Sequence, residues 1–144
     1  MARIKIELPA AFPFSTHIPV RIQDMNYGGH VGNDAILSIL HEARVQYLKS
    51  IGTKELDHET GKGLIIVDVA ISYKSEAFHG DTFLVEVAAG DFSPFGFDLF
   101  YRITTQRESK TIVVAEAKTG MICFDYHQRK VTKLPADMKA SMEQ

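Results

Sequence analysis

The chain has 144 residues, 45% hydrophobic and 24% charged, with 16 Lys and Arg against 18 Asp and Glu. That is the size and composition of one globular domain spanning 1–144, and a net charge of −2 excludes a broadly basic nucleic-acid binder. The single cysteine, Cys123, excludes an internal disulfide and a cysteine-rich metal site, and it suits a cytoplasmic protein.

Residues 1–13 read as a lead-in, with Pro9 and Pro13 interrupting any regular element; neither an export leader nor a membrane span is expected. A first strand is expected over 14–23, and Pro19 places it at a sheet edge or a strand start. The segment 24–32 reads as a loop, with Asn33 or Asp34 as the helix N-cap. Ile36, Ile39, Leu40, Ala43, Tyr47 and Ile51 recur at helical spacing, so a helix is expected over 34–50, stopped by Gly52. Leu37, Val45 and Leu48 widen its apolar surface, which predicts enclosure by the surrounding elements. Ser38, His41, Glu42 and Lys49 take the remaining side.

After the polar loop 52–63 the period changes to two. Ile65, Val67, Val69, Ile71 and Tyr73 form one apolar face, with Asp68, Ser72, Lys74 and Glu76 opposite. Turns at 79–81, 93–96 and 108–110 separate further alternating runs, the last of them 111–124 with a bend expected at Gly120. A short strand over 128–134 and a short helix over 135–142 follow. Short connections imply antiparallel neighbours. Several long strands with one apolar helix predict an α+β fold, an antiparallel sheet of five or six strands wrapped around one long central helix.

None of the six histidines pairs at metal-ligand spacing, so no metal site is expected. Cys123 lies in a strand pattern and reads as a small buried apolar group. His41-Glu42-Ala43-Arg44 reads as a charged stretch on a partly exposed helix face or a structural ion-pair site. The loop before the helix is richer: Asp24, Asn26, Gly28, Gly29, His30, Gly32 and Asn33 all lie within 24–33. Glycine permits positive φ and close approach of a ligand, and a following helix offers unpaired N–H groups, which together suit a developing oxyanion. An ordinary glycine-rich turn with a helix cap is the competing reading.

Asp24-Met25-Asn26-Tyr27-Gly28-Gly29-His30-Val31-Gly32-Asn33, followed by Leu40-His41-Glu42-Ala43-Arg44, resembles the signature of hotdog-fold thioesterases of the 4-hydroxybenzoyl-CoA thioesterase-like group. Tyr73-Lys74-Ser75-Glu76-Ala77-Phe78-His79-Gly80-Asp81 is similar to the strand end and turn that follow in that group, and Gly120-Met121-Ile122-Cys123-Phe124-Asp125 with Leu134-Pro135 to its closing strand. The resemblance covers 14–135 and rests on the order and spacing of short motifs. It implies a hotdog fold, an acyl-CoA or acyl carrier protein substrate, no metal or cofactor, and a homodimer or homotetramer with sites between subunits.

One departure bears on mechanism. Many bacterial members carry a catalytic aspartate where this chain has Asn26, and a neutral amide cannot act as a general base. Plant-type acyl carrier protein thioesterases are similar in having Asp-Met-Asn in the loop and a glutamate just beyond the next strand. That likeness carries over Asp24, Asn26 and Glu76, with His30 two residues further from Asn26 than in those enzymes. The roles implied are Glu76 as base toward water, Asn26 orienting the water or thioester, and Asp24 orienting Asn26 or His30. Backbone N–H groups at Gly29 or His30 and the helix start would hold the oxyanion. Tyr27, Gly28, Gly29 and Asn33 are candidate substrate contacts, and Glu42 is a reserve carboxylate. An apolar cleft around Glu76 would raise its pKa toward neutrality. The competing readings are a hotdog hydratase or dehydratase using His30 and Glu76, and a module that binds acyl-CoA without turnover.

Overall fold

Where the period changes to two, the chain builds four antiparallel strands of 12, 12, 12 and 16 residues. The computed structural model describes residues 1–143. Its elements are β1 (Phe14–Pro19), α1 (Asn33–Ser50), β2 (Lys62–Tyr73), β3 (Thr82–Ser93), β4 (Gly96–Arg107), β5 (Lys110–Asp125), β6 (Lys130–Val131) and α2 (Ala136–Met142), with one 3-10 turn at Ile22–Asp24. The strand order is β1-β3-β4-β5-β2, all neighbours antiparallel, with β6 paired to the end of β5. Ile36, Ile39, Leu40, Ala43 and Tyr47 of α1 share one core with Phe83, Val85, Leu99, Tyr101 and Ile103 of the sheet. This is the expected α+β hotdog arrangement.

Four local expectations are corrected. The first strand ends at Pro19, which has no N–H to donate; the chain then turns, and the Val20 N–H bonds the Asp81 carbonyl at 3.0 Å. The helix begins at Asn33, and its N-cap is Gly32, which supplies no side-chain bond. Neither Asn33 nor Asp34 caps it, so its first amides stay free. Leu37 and Val45 are 40% and 43% exposed, because the sheet covers one side of α1 and leaves the other open. The final strand is only two residues long.

The fifth correction concerns β2. Its register against β5 shifts between Ile66 and Asp68, a β-bulge. Cross-strand partners share a face. Ile66 pairs with the buried Met121, while Val69 and Ile71 pair with Thr119 and Ala117, so these lie on the helix side of the sheet, where Ile66 and Val69 stay exposed beyond the reach of α1; Ile65 pairs with Ile122 and lies on the opposite side. The single apolar face expected from Ile65 to Tyr73 is therefore two half-faces of opposite parity. Gly120 lies opposite the bulge, where the Asp68 carboxylate accepts from the Gly120 N–H at 3.1 Å and the Lys118 ammonium at 2.7 Å. A Cβ at Gly120 would collide with that carboxylate, so this glycine seats a bulge, and β5 carries no break there.

Candidate functional site

The loop between the 3-10 turn and α1 is built on Asp24. This buried carboxylate receives the Arg21 backbone N–H at 2.8 Å and the Arg21 guanidinium at 3.1 Å. Burial works against its charge, but the bonds from Arg21 outweigh it and hold the carboxyl below its ordinary range. The Asp24 carbonyl accepts from the Gly32 N–H at 2.9 Å, closing the loop. Within it, the Asn26 N–H donates to the His30 carbonyl at 2.9 Å and the Gly29 N–H to the Asn26 carbonyl at 3.2 Å, while the Asn26 Oδ1 accepts from the Gly28 N–H at 2.9 Å. Gly29 sits at φ +82°, a conformation the loop needs and glycine adopts without steric cost.

The loop is joined to the extension of β2. The Val31 N–H donates to the Ala77 carbonyl at 2.7 Å, and this sets Glu76 beside His30, with Oε1 and Nε2 4.0 Å apart. The two line a cleft of about 560 Å3 together with Asn26, Tyr27, Asn33 and Tyr73, above an apolar floor of Val31, Ile36, Ala77 and Val114. Tyr73 donates its hydroxyl to the Asn33 carbonyl at 3.0 Å, tying β2 to the start of α1. Desolvation and the nearby Asp34 push that phenol up.

The amides at this helix start are chemically available. The Ala35 and Ile36 N–H groups bond the Gly32 carbonyl at 3.1 and 3.4 Å. Those of His30, Asn33 and Asp34 have no intramolecular acceptor among the described residues. Of the two loop amides anticipated as oxyanion donors, that of Gly29 is already engaged and that of His30 is free. The geometry thus offers a carboxylate, an imidazole and free amides at a positive helix end, the parts needed to activate water and hold an oxyanion.

The remaining candidates fall outside the cleft lining. Asp24 acts from behind the loop. Gly28 lies beneath His30, where a Cβ would stand 3.3 Å from Nε2 and 3.2 Å from the Asn26 Oδ1. Glu42 lies on the exposed side of α1 and accepts from Gln46 at 2.8 Å. The enclosure expected around Glu76 is not supplied by this chain, since its side chain is 67% exposed. The helix stretch is a structural ion-pair site: the buried Arg44 donates to Glu55, and His41 lies 3.5 Å from the same carboxylate. Cys123 is buried, and desolvation pushes its thiol up. Sequence reasoning missed Tyr73 and Asp34 as site residues. Tyr73 read as one more apolar-face residue, and only its place three residues before Glu76 could have marked it.

Among the described residues no group of three or more His, Cys, Asp or Glu is placed to hold a metal ion. Nor, among the same described residues, is any helix long and apolar enough to cross a membrane. The family model of the thioesterase-like superfamily matches residues 20–142. A 1,4-dihydroxy-2-naphthoyl-CoA hydrolase from Nostoc punctiforme is 27% identical over 132 residues, covering 90% of this chain and 86% of the relative. The crystal structure of a 1,4-dihydroxy-2-naphthoyl-CoA thioesterase from Synechocystis superimposes with a TM-score of 0.82 at 23% identity, over 91% of this chain and 96% of the other. A thioesterase-superfamily structure from Jannaschia gives a TM-score of 0.82 at 19% identity, over 93% and 83%.

Proposed function

The chain belongs to the thioesterase-like superfamily, and we propose that it hydrolyses an acyl-CoA thioester in the cleft between His30 and Glu76. The observation that carries this reading is the 4.0 Å approach of Glu76 Oε1 to His30 Nε2, beside a helix start whose first amides are free. Glu76 takes a proton from water as the water oxygen attacks the thioester carbonyl carbon. The His30, Asn33 and Asp34 N–H groups stabilise the oxyanion that forms. The Asn26 carboxamide, its oxygen held by the Gly28 N–H, directs its NH2 group at the water or thioester. Collapse of the intermediate breaks the C–S bond, and the proton held by Glu76 passes to the departing thiolate, directly or through His30. Asp24 fixes the loop.

Thiol release from a panel of aliphatic and aromatic acyl-CoAs tests the reading, the aromatic esters first because the Nostoc relative is a 1,4-dihydroxy-2-naphthoyl-CoA hydrolase. Wild type turns over at least one ester, and Glu76→Gln falls to a small residual rate while keeping its melting temperature. A Glu76→Gln variant with the wild-type rate removes Glu76 as base. Carrier-protein thioesters belong in the same panel. Binding of an acyl-CoA with no thiol release would make this a binding module.

The His30–Glu76 pairing supports a second reading, hydration of an enoyl thioester, and loss of absorbance from an enoyl-CoA separates it from hydrolysis. The working unit in our reading is a homo-oligomer. Glu76 and Tyr27 stand open to solvent in one subunit, and the edge strand β2, covered by residues 55–57 only as far as Leu64, exposes Val67 at 52% and Val69 at 41%. A second copy along that edge would bury both valines and supply the missing wall. The lone buried cysteine suits a reducing cytoplasm.

A further inference from the structure

We propose that Arg107, which lies outside the cleft, is a positioning residue that holds the turn carrying Glu76 at its working distance from His30; this rests on the reading of Glu76 as the base. Among the described residues the Glu76 carboxylate accepts no hydrogen bond, while the His30 ring is placed by its Nδ1, 3.4 Å from the Val31 carbonyl, so on the Glu76 side the approach depends on where the backbone holds the residue. What fixes that backbone is therefore part of the catalytic geometry.

The Lys74 and Ser75 N–H groups bond the Val114 carbonyl at 2.8 and 3.2 Å just before Glu76, and the Val20 N–H bonds the Asp81 carbonyl at the far end of the turn; between these anchors two further contacts hold the segment. On one side the Ala77 carbonyl receives the Val31 N–H at 2.7 Å, which binds the Glu76 segment to the His30 loop. On the other side Arg107, the last residue of β4, reaches across. It donates to the Asp81 Oδ2 at 2.6 Å and to the Glu76 carbonyl at 3.5 Å, and its guanidinium stands 5.1 Å over the Phe78 ring. The same Asp81 oxygen accepts the Phe78 N–H at 2.9 Å, and the Asp81 N–H returns to the Phe78 carbonyl at 3.1 Å. Gly80, at φ +101°, lets the turn close this tightly. Residues 76–81 thus form a closed bracket, and Arg107 secures it to the rigid sheet.

The pair is half withdrawn from water, with side-chain exposures of 33% for Arg107 and 12% for Asp81. A guanidinium donates in a planar fork and stacks on an aromatic ring, so lysine cannot reproduce both contacts. Loss of the bracket lets Glu76 drift from His30 without altering any group that touches substrate. Misplacement of about 1 Å is enough to cost up to about a hundredfold in rate.

The test is a double-mutant cycle with Arg107→Gln, Glu76→Gln and the double variant, using the panel ester that wild type turns over fastest. Arg107→Gln should lower kcat about tenfold, leave KM within about twofold, and recover part of the loss as Arg107→Lys. In the Glu76→Gln background the same change should alter the residual rate by less than about twofold, because there is no base left to position. An equal tenfold loss in both backgrounds would make Arg107 merely structural and overturn the proposal. A raised KM for acyl-CoA with kcat intact would overturn it too, by assigning Arg107 to the phosphates of CoA. Should Arg107→Gln fail to fold, Asp81→Asn breaks the same pair and enters the cycle with the same expectations. Wild-type turnover by Glu76→Gln alone would strike the base assignment, which the cycle reads separately.

Discussion

At the residue scale, the loop's chemistry depends on which glycines have a neighbour where a side chain would go. A Cβ at Gly28 would press on the His30 Nε2 and the Asn26 Oδ1, both ends of movable side chains. Gly28→Ala should therefore cost activity about tenfold or more with a melting temperature close to wild type. A Cβ at Gly96 would run into the Met121 backbone carbonyl, which cannot move aside. Gly96→Ala should destabilise the fold by about 3 kcal/mol, read from denaturant unfolding, and a neutral result would contradict the packing described for β4 and β5. Asp24 ties the loop to pH. Its folded pKa lies below its ordinary value, so its contribution to stability is complete above the unfolded value of about 3.9 and is lost as pH falls through the lower folded value. A melting-temperature series from neutral pH down to about pH 2.5 should show that acid loss in wild type and less of it in Asp24→Asn, which should be less stable at pH 7. The sequence displayed the loop's residue types well. It did not reveal that the Gly29 amide is spent inside the loop, because hydrogen-bond bookkeeping needs coordinates.

At the scale of elements, α1 was readable because its core face repeats at helical spacing, and Ile36, Ile39, Leu40, Ala43 and Tyr47 are all buried as that spacing requires. The extent of its enclosure was not readable. Leu37 and Val45 looked equally apolar, and only the side on which the sheet lies separates them from Leu48. β2 failed differently. A run of alternating residues says nothing of a bulge, and one unpaired residue between Ile66 and Asp68 reverses every side chain beyond it. For Arg44 the ion-pair reading was open in the sequence but its burial was not, since an arginine within a helical face normally faces water. It is instead buried, with its guanidinium on Glu55 from the loop after α1, and Tyr101 beneath it bonds Thr119 at 2.9 Å. Desolvation opposes the Arg44 charge, and its bond to Glu55, together with the Glu55 carboxylate and Tyr101 nearby, outweighs that and raises its pKa. Arg44→Ala empties a buried position and leaves the half-buried Glu55 carboxylate with only His41 beside it, and should cost about 3 kcal/mol. Arg44→Met, which refills the volume, combined with Glu55→Gln should recover much of that loss in the same urea titration. If the double variant is no more stable than Arg44→Ala, the pair anchors the loop through something other than charge.

At the scale of the molecule, the sheet has two edges, and they are managed differently. β1 is six residues long and ends in a proline, a form that resists further pairing. β2 is twice as long, has no proline, and exposes Ile66, Val67, Val69 and Tyr73 at 39% to 52%. Loop 55–57 covers the start of this edge and the bulge at Val67 twists it, but beyond the bulge 69–73 stay open, and the natural product of two such identical edges is a twofold antiparallel pair. The same edge ends at Tyr73, three residues from a carboxylate left standing in solvent, so assembly and catalysis should fail together. Replacing Val67 and Val69 by lysine should yield a monomer by sedimentation equilibrium, with a melting temperature that no longer rises with protein concentration. Its turnover should fall at least about tenfold, because the amides proposed to hold the oxyanion and the proposed base Glu76 would work in bulk water, where hydrogen bonds and charges are worth far less. Full activity in such a monomer would mean that one chain holds a complete site, and the second wall would then have to come from the bound substrate itself.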